Sequence, residues 1–128
     1  LALDIAARRA PGDRPIALLS GGETTVTVRG HGRGGRNSEY LLGLAITIEG
    51  HANIHAIACD TDGIDGSEHN AGAYLSPEHW SLAKARGIDA HAHLDDNDAY
   101  GFFQQMDALV MTGPTRTNVN DYRAILIT

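Results

Sequence analysis

The sequence predicts a layered α/β domain in which helices flank a mixed β-sheet, and three patterns point to this fold class. Short runs of β-branched and apolar residues at 16–19, 54–59, 109–112 and 124–127 are typical of strands. Residues 38–50 instead carry apolar side chains at steps of three and four, the period of an amphipathic helix. Because strand and helix patterns alternate along the chain, a sheet covered by helices is the expected architecture.

The first part of the chain predicts a helix and then a hairpin. Leu1 and Ile5, with the alanines around them, form a short apolar stripe that ends at Pro11 and Gly12. Two strand patterns follow, at 16–19 and 24–28, separated by turn-forming residues. We therefore expect the sheet to open with an antiparallel pair.

The remaining elements are predicted from caps and stops. Asn37 or Ser38 can cap the helix that ends at Gly50, and the short, largely apolar run 54–59 predicts a buried strand. Two more helices are expected, and their signals are Ser76 with Pro77 before a stop at Gly87, and Asn97 or Asp98 before a run to Met106.

Composition narrows the class of partner. The chain has 128 residues, enough for one domain with a core, and a formal net charge of -6. An acidic chain lacks the spread of basic residues that general nucleic-acid binding needs, so we expect small-molecule partners and no nucleic acid. The basic residues are nine arginines and one lysine, Lys84. Arginine suits the recognition of carboxylates and phosphates.

The compartment expected from the sequence is the cytoplasm, with no membrane partner. Cys59 is the single cysteine and stands in an apolar run, which predicts a buried core residue and a reducing environment. No stretch approaches the roughly 18 apolar residues of a membrane span.

The loop 30–37 carries the main functional signal. Its glycines at 30, 32, 34 and 35 permit close backbone approach, Arg33 and Arg36 add permanent charge, and a helix amino terminus follows. All three effects favour an anion, although a solvated connection would have the same composition. The loop is not a Walker A motif, because the Gly-Lys-Ser/Thr ending is absent.

Three other loops, at 20–23, 60–66 and 113–121, also fall at predicted element ends, so the four could converge. In the second of these, Asp60, Asp62 and Asp65 suit either a hard cation or a hydroxylated substrate, or they simply cap the turn. Calcium is discounted because the twelfth position of such a loop holds Ala71 in place of glutamate.

The loop 113–121 and the histidines give weaker signals. Short hydrogen-bonding side chains fill this loop, and they suit either a phosphate or a self-bonded surface turn. His91 and His93 alternate across a possible strand and could pair as metal ligands, but no Cys or Glu accompanies them and solvent exposure is the expected outcome. No metal ligand is therefore predicted.

Five segments taken in order resemble the carboxy-terminal domain of the glycerate 2-kinase family, called the MOFRL domain, whose members are often labelled hydroxypyruvate reductases. The segments are Leu19-Ser-Gly-Gly-Glu-Thr-Thr-Val-Thr-Val, Gly30-His-Gly-Arg-Gly-Gly-Arg-Asn-Ser-Glu, Thr61-Asp-Gly-Ile-Asp-Gly, Ala71-Gly-Ala and Thr112-Gly-Pro-Thr-Arg-Thr-Asn-Val-Asn-Asp. The resemblance covers about residues 15–128.

The resemblance implies ATP-dependent phosphorylation of D-glycerate to 2-phosphoglycerate with Mg²⁺, in a cleft shared with a larger amino-terminal domain. Carried onto this chain, it implies that Arg36 neutralises the carboxylate of glycerate or the transferring phosphoryl group, and that Arg33 assists it. Asp62 would orient the substrate hydroxyl or water bound to Mg²⁺, and accept the hydroxyl proton. Three side chains would complete the substrate-binding part of the pocket: Asn37, Thr115 and Asn118.

The resemblance also sets the expected domain organisation. Residues 1–14 are expected to be the end of a preceding helix and a lead-in, and residues 15–128 the carboxy-terminal domain, with the larger domain absent and this part alone inactive. Two alternatives stay open. One is a hydroxypyruvate reductase using a nicotinamide cofactor, although no strand here leads into Gly-x-Gly-x-x-Gly with an acidic residue about twenty positions later. The other is a non-catalytic domain that senses a small acid.

Overall fold

Five strands and five helices make up the described chain. The structure, a computed structural model, describes residues 1–23 and 25–128. In chain order the elements are α1 (Ala2–Ala7), β1 (Ile16–Gly22), α2 (Arg36–Ile48), β2 (Ile54–Asp60), β3 (Gly72–Leu75), α3 (Pro77–Ala85), α4 (Ala90–Asp95), α5 (Ala99–Gln104), β4 (Leu109–Val110) and β5 (Asp121–Ile127).

The layered α/β architecture is confirmed, but the sheet is antiparallel where a mixed one was expected. The strand order is β1-β5-β2-β3-β4, and every pairing within the described residues is antiparallel. The helix α2 does carry the chain from β1 to a strand of the same direction, β2, as the alternating pattern suggests. The last strand, β5, lies between β1 and β2 and is antiparallel to both. The two strands that share a direction therefore do not pair with each other.

The predicted opening hairpin is wrong. Residues 25–28 belong to no strand, and Thr24, where that strand was expected to begin, lies outside the described residues. The antiparallel partner of β1 is β5, with seven residue pairs from Ile16 opposite Ile127 to Gly22 opposite Asp121. Val26 and Val28 instead line a cavity beside α2. The pairing of β1 with β5 therefore takes the place of the expected pairing with residues 24–28.

The two faces of the sheet differ in what covers them. On one face, alternate residues of β2 are buried, and α2 packs across β2 and β3 while α5 packs on α2 and β4. The helices α2 and α5 contribute four large side chains with no exposed surface to this core, and burying each contributes about 1.5–3 kcal/mol. They are Leu41, Leu42, Phe102 and Phe103.

The start and end of α2 have separate causes. The helix begins two residues before the predicted start at Ser38, because Gly35 occupies the cap position in an extended conformation. It ends where Glu49 and Gly50 take positive φ angles of 48° and 74°, close to the predicted glycine stop. α3 begins at Pro77, directly after the Ser76 cap, as predicted.

The predicted strand around His91 and His93 is also wrong, since both lie on the helix α4 after an Asp89 cap. Within the described ranges, no helix has the length and apolar character of a membrane span.

Candidate functional site

The guanidinium of Arg36 contacts three of the four loops that were predicted to converge. Arg36 itself belongs to the fourth, loop 30–37. It stands at the first residue of α2 and contacts Glu23 after β1, Asp60 at the end of β2 and Asp121 at the start of β5. The site therefore forms at one end of the sheet, where strand ends from three neighbouring strands meet a helix amino terminus.

The three carboxylate partners of Arg36 differ in how deeply they are buried. Its Nε donates to both carboxylate oxygens of Asp121 at 2.9 Å, and its Nη2 donates to Asp60 at 2.9 Å. The contact from Nη1 to Glu23 is longer, 3.3 Å, and that carboxylate is 63% exposed while the one of Asp121 is fully buried. Burial alone would lower the pKa of Arg36, but its bond to Asp121 and the surrounding carboxylates raise it above the ordinary value. Glu23 is thus the one weakly held member of the group.

Asp121 is the hub of the site. Besides Arg36 it accepts from the amide nitrogen of Asn37 at 2.9 Å and lies 3.4 Å from Nη1 of Arg123. Arg123 in turn donates to the hydroxyl of Ser20 and to a β1 carbonyl. Asn37 is only 1% exposed. Its side chain therefore donates to Asp121 inside the protein and does not line the open part of the site.

Asp65 caps α2 from a remote loop. Its carboxylate, 1% exposed, accepts from the backbone N–H groups of Asn37 and Ser38 at 3.0 and 2.8 Å and from the hydroxyl of Ser38 at 2.7 Å. A negative charge at this end of a helix is stabilised by the helix dipole. For Asp65, then, the capping alternative describes the structure.

Asp60 and Asp62 form a carboxyl pair next to Arg36. Asp60 accepts from the backbone N–H of Asp62 at 3.0 Å, while Asp62 accepts from the N–H of Ile64 at 2.8 Å. Burial raises the pKa of Asp60, and the neighbouring carboxyl of Asp62 adds to that rise, outweighing the hydrogen bond from Asp62 and the charge of Arg36. The Asp60 carboxyl therefore holds a proton more readily than an isolated aspartate, because its pKa is raised.

The first half of loop 30–37, called the glycine loop below, is held by one turn at residues 96–98. Asn97 accepts from the N–H groups of Arg29 and Gly30, at 2.5 and 2.9 Å. Asp96 accepts from His31 through its carboxylate and from Gly32 through its carbonyl, at 3.0 and 2.8 Å, and Asp98 accepts from Arg33 at 3.0 Å. Five successive N–H groups, from Arg29 to Arg33, are therefore already satisfied, and four of them belong to the loop 30–37 that was predicted to bind an anion.

Two of the loop glycines serve this packing. A Cβ at Gly30 would overlap Asp96, and one at Gly32 would overlap Asp98. Gly34, by contrast, has a φ of +143°, which side-chain-bearing residues rarely adopt, and Gly35 lies directly against Asp65. The anion hypothesis is thus narrowed to the second half of the loop.

That second half opens onto a cavity of about 230 Å³. Among the described residues, the N–H groups of Gly34, Gly35 and Arg36 donate to no protein acceptor. Their residues line this cavity, together with a carboxylate, an amide and small apolar side chains. The remaining lining residues are Val26, Val28, Gly32, Glu39, Gly66, Asn97 and Ala99.

Other predicted binding residues lie around this centre. The guanidinium carbon of Arg33 stacks 4.7 Å from the ring centre of Tyr100, on the side of the loop held by the turn. Thr115 donates its hydroxyl to the Thr61 carbonyl and its N–H to the Asp62 carbonyl, which fastens loop 113–121 to loop 60–66. Asn118 accepts from the N–H of Asn120 at 3.0 Å and is exposed.

The two histidines weighed as metal ligands do not lie on a strand. His91 and His93 lie on one short helix, and the His93 ring bonds to Asp98 at 3.1 Å. Across residues 1–23 and 25–128, no three His, Cys, Asp or Glu side chains are grouped so as to hold a metal ion.

Sequence reasoning missed part of this site. The Asp121 and Arg123 pair is signalled only by two charged residues at alternate positions of a strand that is otherwise apolar, and Asn97 was seen only as a helix cap. Glu39 gave no signal beyond its place in the first turn of α2.

The MOFRL family model matches residues 16–121, a range that includes Arg36 and its partners Glu23, Asp60 and Asp121. The chain belongs to the MOFRL family. The resemblance inferred from the five sequence segments is thereby confirmed.

Relatives of this MOFRL chain carry two kinds of name. A protein of Agrobacterium vitis named "Putative hydroxypyruvate reductase" is 49% identical over 129 residues, covering 99% of this chain and 34% of that protein. The D-glycerate 2-kinase of Thermotoga maritima is 43% identical over 111 residues, covering 87% and 27%. The crystal structure of glycerate kinase from Thermotoga maritima has a TM-score of 0.92 at 39% identity, covering 99% and 31%. The chain spans about a third of the length of these relatives.

Proposed function

We propose that this domain supplies the anion-binding half of the active site of a glycerate kinase, which transfers phosphate from ATP to D-glycerate to give 2-phosphoglycerate. One observation carries the proposal: Gly34, Gly35 and Arg36 line one cavity at a helix amino terminus, and their N–H groups have no protein acceptor among the described residues. A permanent charge, free donors and a helix dipole together stabilise a carboxylate or a phosphoryl group. The names of the relatives support glycerate as the acid.

Charge balance suggests how the anion enters. Arg36 and Arg123 are matched by the buried carboxylates of Asp60 and Asp121, so these four groups are neutral together. Glu23 is the surplus negative group, exposed and at the longest distance from Arg36. A substrate carboxylate or phosphoryl group can replace Glu23 on Nη1 without disturbing the buried pairs. The cost of exchanging one solvated anion for another is small.

Asp62 is proposed to act on the substrate hydroxyl. As that oxygen attacks the γ-phosphorus and the bond to the leaving ADP breaks, the hydroxyl proton passes to the Asp62 carboxylate. Asp62 is partly exposed, and Asp60 links it to Arg36 by accepting hydrogen bonds from both residues. An acid bound at Arg36 would therefore bring its hydroxyl close to Asp62. Thr115 holds the Asp62 loop in place, and Asn118 and Arg33 are proposed to contact the substrate from the rim.

ATP and Mg²⁺ are proposed as requirements of the longer enzyme, because the relatives are named as kinases. No step is assigned to the metal here.

The larger amino-terminal domain is the proposed partner, and the second face of the sheet suits it. The twelve residues that the register places on this face include no Asp, Glu, Lys or Arg. The solvent-facing side of an antiparallel sheet normally carries polar residues. Leu19, Tyr74, Tyr122 and Leu126 on it are 41–67% exposed. The relatives are about three times as long as this chain, so we propose that the rest of the polypeptide covers this face.

The reductase alternative has less support from the site. A dinucleotide fingerprint needs a strand leading into the glycine loop and free N–H groups for the pyrophosphate. Here residues 25–28 form no strand, and the N–H groups from Arg29 to Arg33 are occupied.

The test uses the longer protein that carries this domain, assayed with glycerate and ATP and separately with hydroxypyruvate and NADH. The kinase proposal predicts turnover of the first pair, and turnover of the second pair alone contradicts it. Asp62→Asn is expected to lower kcat by about 10²–10⁴-fold, the usual contribution of a general base. Normal phosphoryl transfer by that variant would dismiss the proposed base. Tight binding of glycerate by the 128-residue chain alone would favour the sensing alternative.

A further inference from the structure

The turn between α4 and α5 meets the glycine loop at five points. Asp96, Asn97 and Asp98 together accept the N–H groups of five consecutive residues, 29–33, through three side chains and one carbonyl. These acceptors lie more than sixty residues away in the chain, so the contact is tertiary. Such a run of bonds fixes the backbone path of the loop.

The turn itself is held rigidly. Asn97 has a φ of 56°, its N–H donates to Leu94, and the N–H of Asp98 donates to His93. The Asp98 carboxylate also bonds to the ring of His93 at 3.1 Å and caps α5 at Gly101. The turn therefore presents its acceptors in one arrangement.

Asn97 also reaches into the cavity of the proposed site. Its side-chain nitrogen donates to Glu39 at 2.6 Å, and both residues line the cavity beside Arg36. One asparagine thus fixes the start of the glycine loop with its oxygen and a cavity carboxylate with its nitrogen.

We propose that Asp96, Asn97 and Asp98 are the positioning residues of the anion site. They occupy the N–H groups from Arg29 to Arg33, whereas those of Gly34, Gly35 and Arg36 have no acceptor within residues 1–23 and 25–128. They also set where these three donors lie. The carboxylates of Asp96 and Asp98 also disfavour an anion along the first half of the loop, since like charges repel. This inference rests on the proposed function for its kinetic consequence but not for its structural one.

The structural test uses backbone hydrogen exchange in the 128-residue chain. Asn97→Gly removes the side chain while a glycine accepts the positive φ. Asp107→Gly is the matched control, because Asp107 has a similar φ of 53° and is exposed beyond the far end of α5. Exchange at Arg29 and Gly30 is expected to accelerate at least about tenfold in Asn97→Gly only. Equal exchange in the two variants would overturn the positioning role.

The kinetic test uses the longer enzyme with glycerate and ATP. Asn97→Gly and Asp96→Ala are expected to raise KM for glycerate about tenfold or more, as misplaced binding groups do, with Tm close to that of Asp107→Gly. Asp96→Asn keeps the side-chain acceptor for His31 and should restore KM, which a simple loss of stability would not predict.

The outcomes separate the two proposals. If Arg36→Ala abolishes turnover while Asn97→Gly behaves as its control, the positioning role fails and the site stands. If exchange responds as expected but Arg36→Ala turns over normally, the positioning of the loop stands and the proposed anion site fails.

Discussion

Removing the Asp121 carboxylate tests whether the site is a buried charge network. In Asp121→Ala, Arg36 and Arg123 each lose a carboxylate partner, and the amide of Asn37 loses an acceptor, at a position with no exposed side-chain surface. Removing one partner of a buried ion pair costs about 3–5 kcal/mol. Because Arg36 keeps Asp60 and Arg123 keeps its bonds to β1, we expect the lower end, about 3 kcal/mol.

Urea unfolding of the 128-residue chain at pH 7 measures this loss. An unchanged m-value would show that the denatured state is the same. For a chain of this size, about 3 kcal/mol corresponds to a fall in Tm of roughly 10–15 °C. Glu23→Gln is the matched control, since it removes an exposed partner of the same arginine and should cost less than about 0.5 kcal/mol. An Asp121→Ala loss below about 1 kcal/mol, or equal to that of the control, would refute the network.

Three further predictions use other variants and groups. In the longer enzyme, Glu23→Gln should strengthen glycerate binding about two- to fivefold by freeing Nη1 of Arg36, and weaker binding would contradict the exchange of anions. Gly32→Ala should destabilise the chain by at least about 2 kcal/mol because its Cβ overlaps the turn, whereas Gly43→Ala, with open space in α2, should stabilise it by about 0.5–1 kcal/mol, both measured by urea unfolding. Burial, with the charge of Asp65 beside it, raises the pKa of Cys59 to about 11, so alkylation at pH 8 should be roughly a hundredfold slower than for a free thiol and should rise until about pH 11; a plateau near pH 9 would contradict this.

The elements predicted correctly from the sequence are those that local chemistry decides. The helix α2 follows from its apolar period and the glycine stop at Gly50, and α3 follows from Ser76 and Pro77. The strand β2 was placed within one residue, since its apolar run and flanking polar residues need no information from elsewhere, but only its alternate residues are buried.

The elements predicted wrongly are those decided by a distant partner. Residues 25–28 have strand composition but no strand pairing, because β5 takes the place beside β1. The short strand β3 gave no strand signal, since Gly72 and Ala73 are weak strand formers, and its pairing with β2 and β4 makes it a strand. No local pattern carries that information.

For the site, the sequence identified the arginine and the converging loops but not what occupies them. Arg36 and Asp62 could be chosen because charge and turn residues stand at element ends. The glycines at 30 and 32, however, have the same composition whether they approach a ligand or pack against Asp96 and Asp98. Which use is made of them depends on a turn more than sixty residues away.

The most direct measurement of the central claim is kcat/KM for glycerate in the longer enzyme, compared between Arg36→Ala and Arg33→Ala. Arg36 lines the cavity, whereas Arg33 stacks on the ring of Tyr100. The account predicts a fall of about 10²–10³-fold or more for Arg36→Ala, as for the loss of a group that stabilises developing charge, and a much smaller fall for Arg33→Ala. Equal effects of the two variants, or an unchanged value for Arg36→Ala, would contradict it.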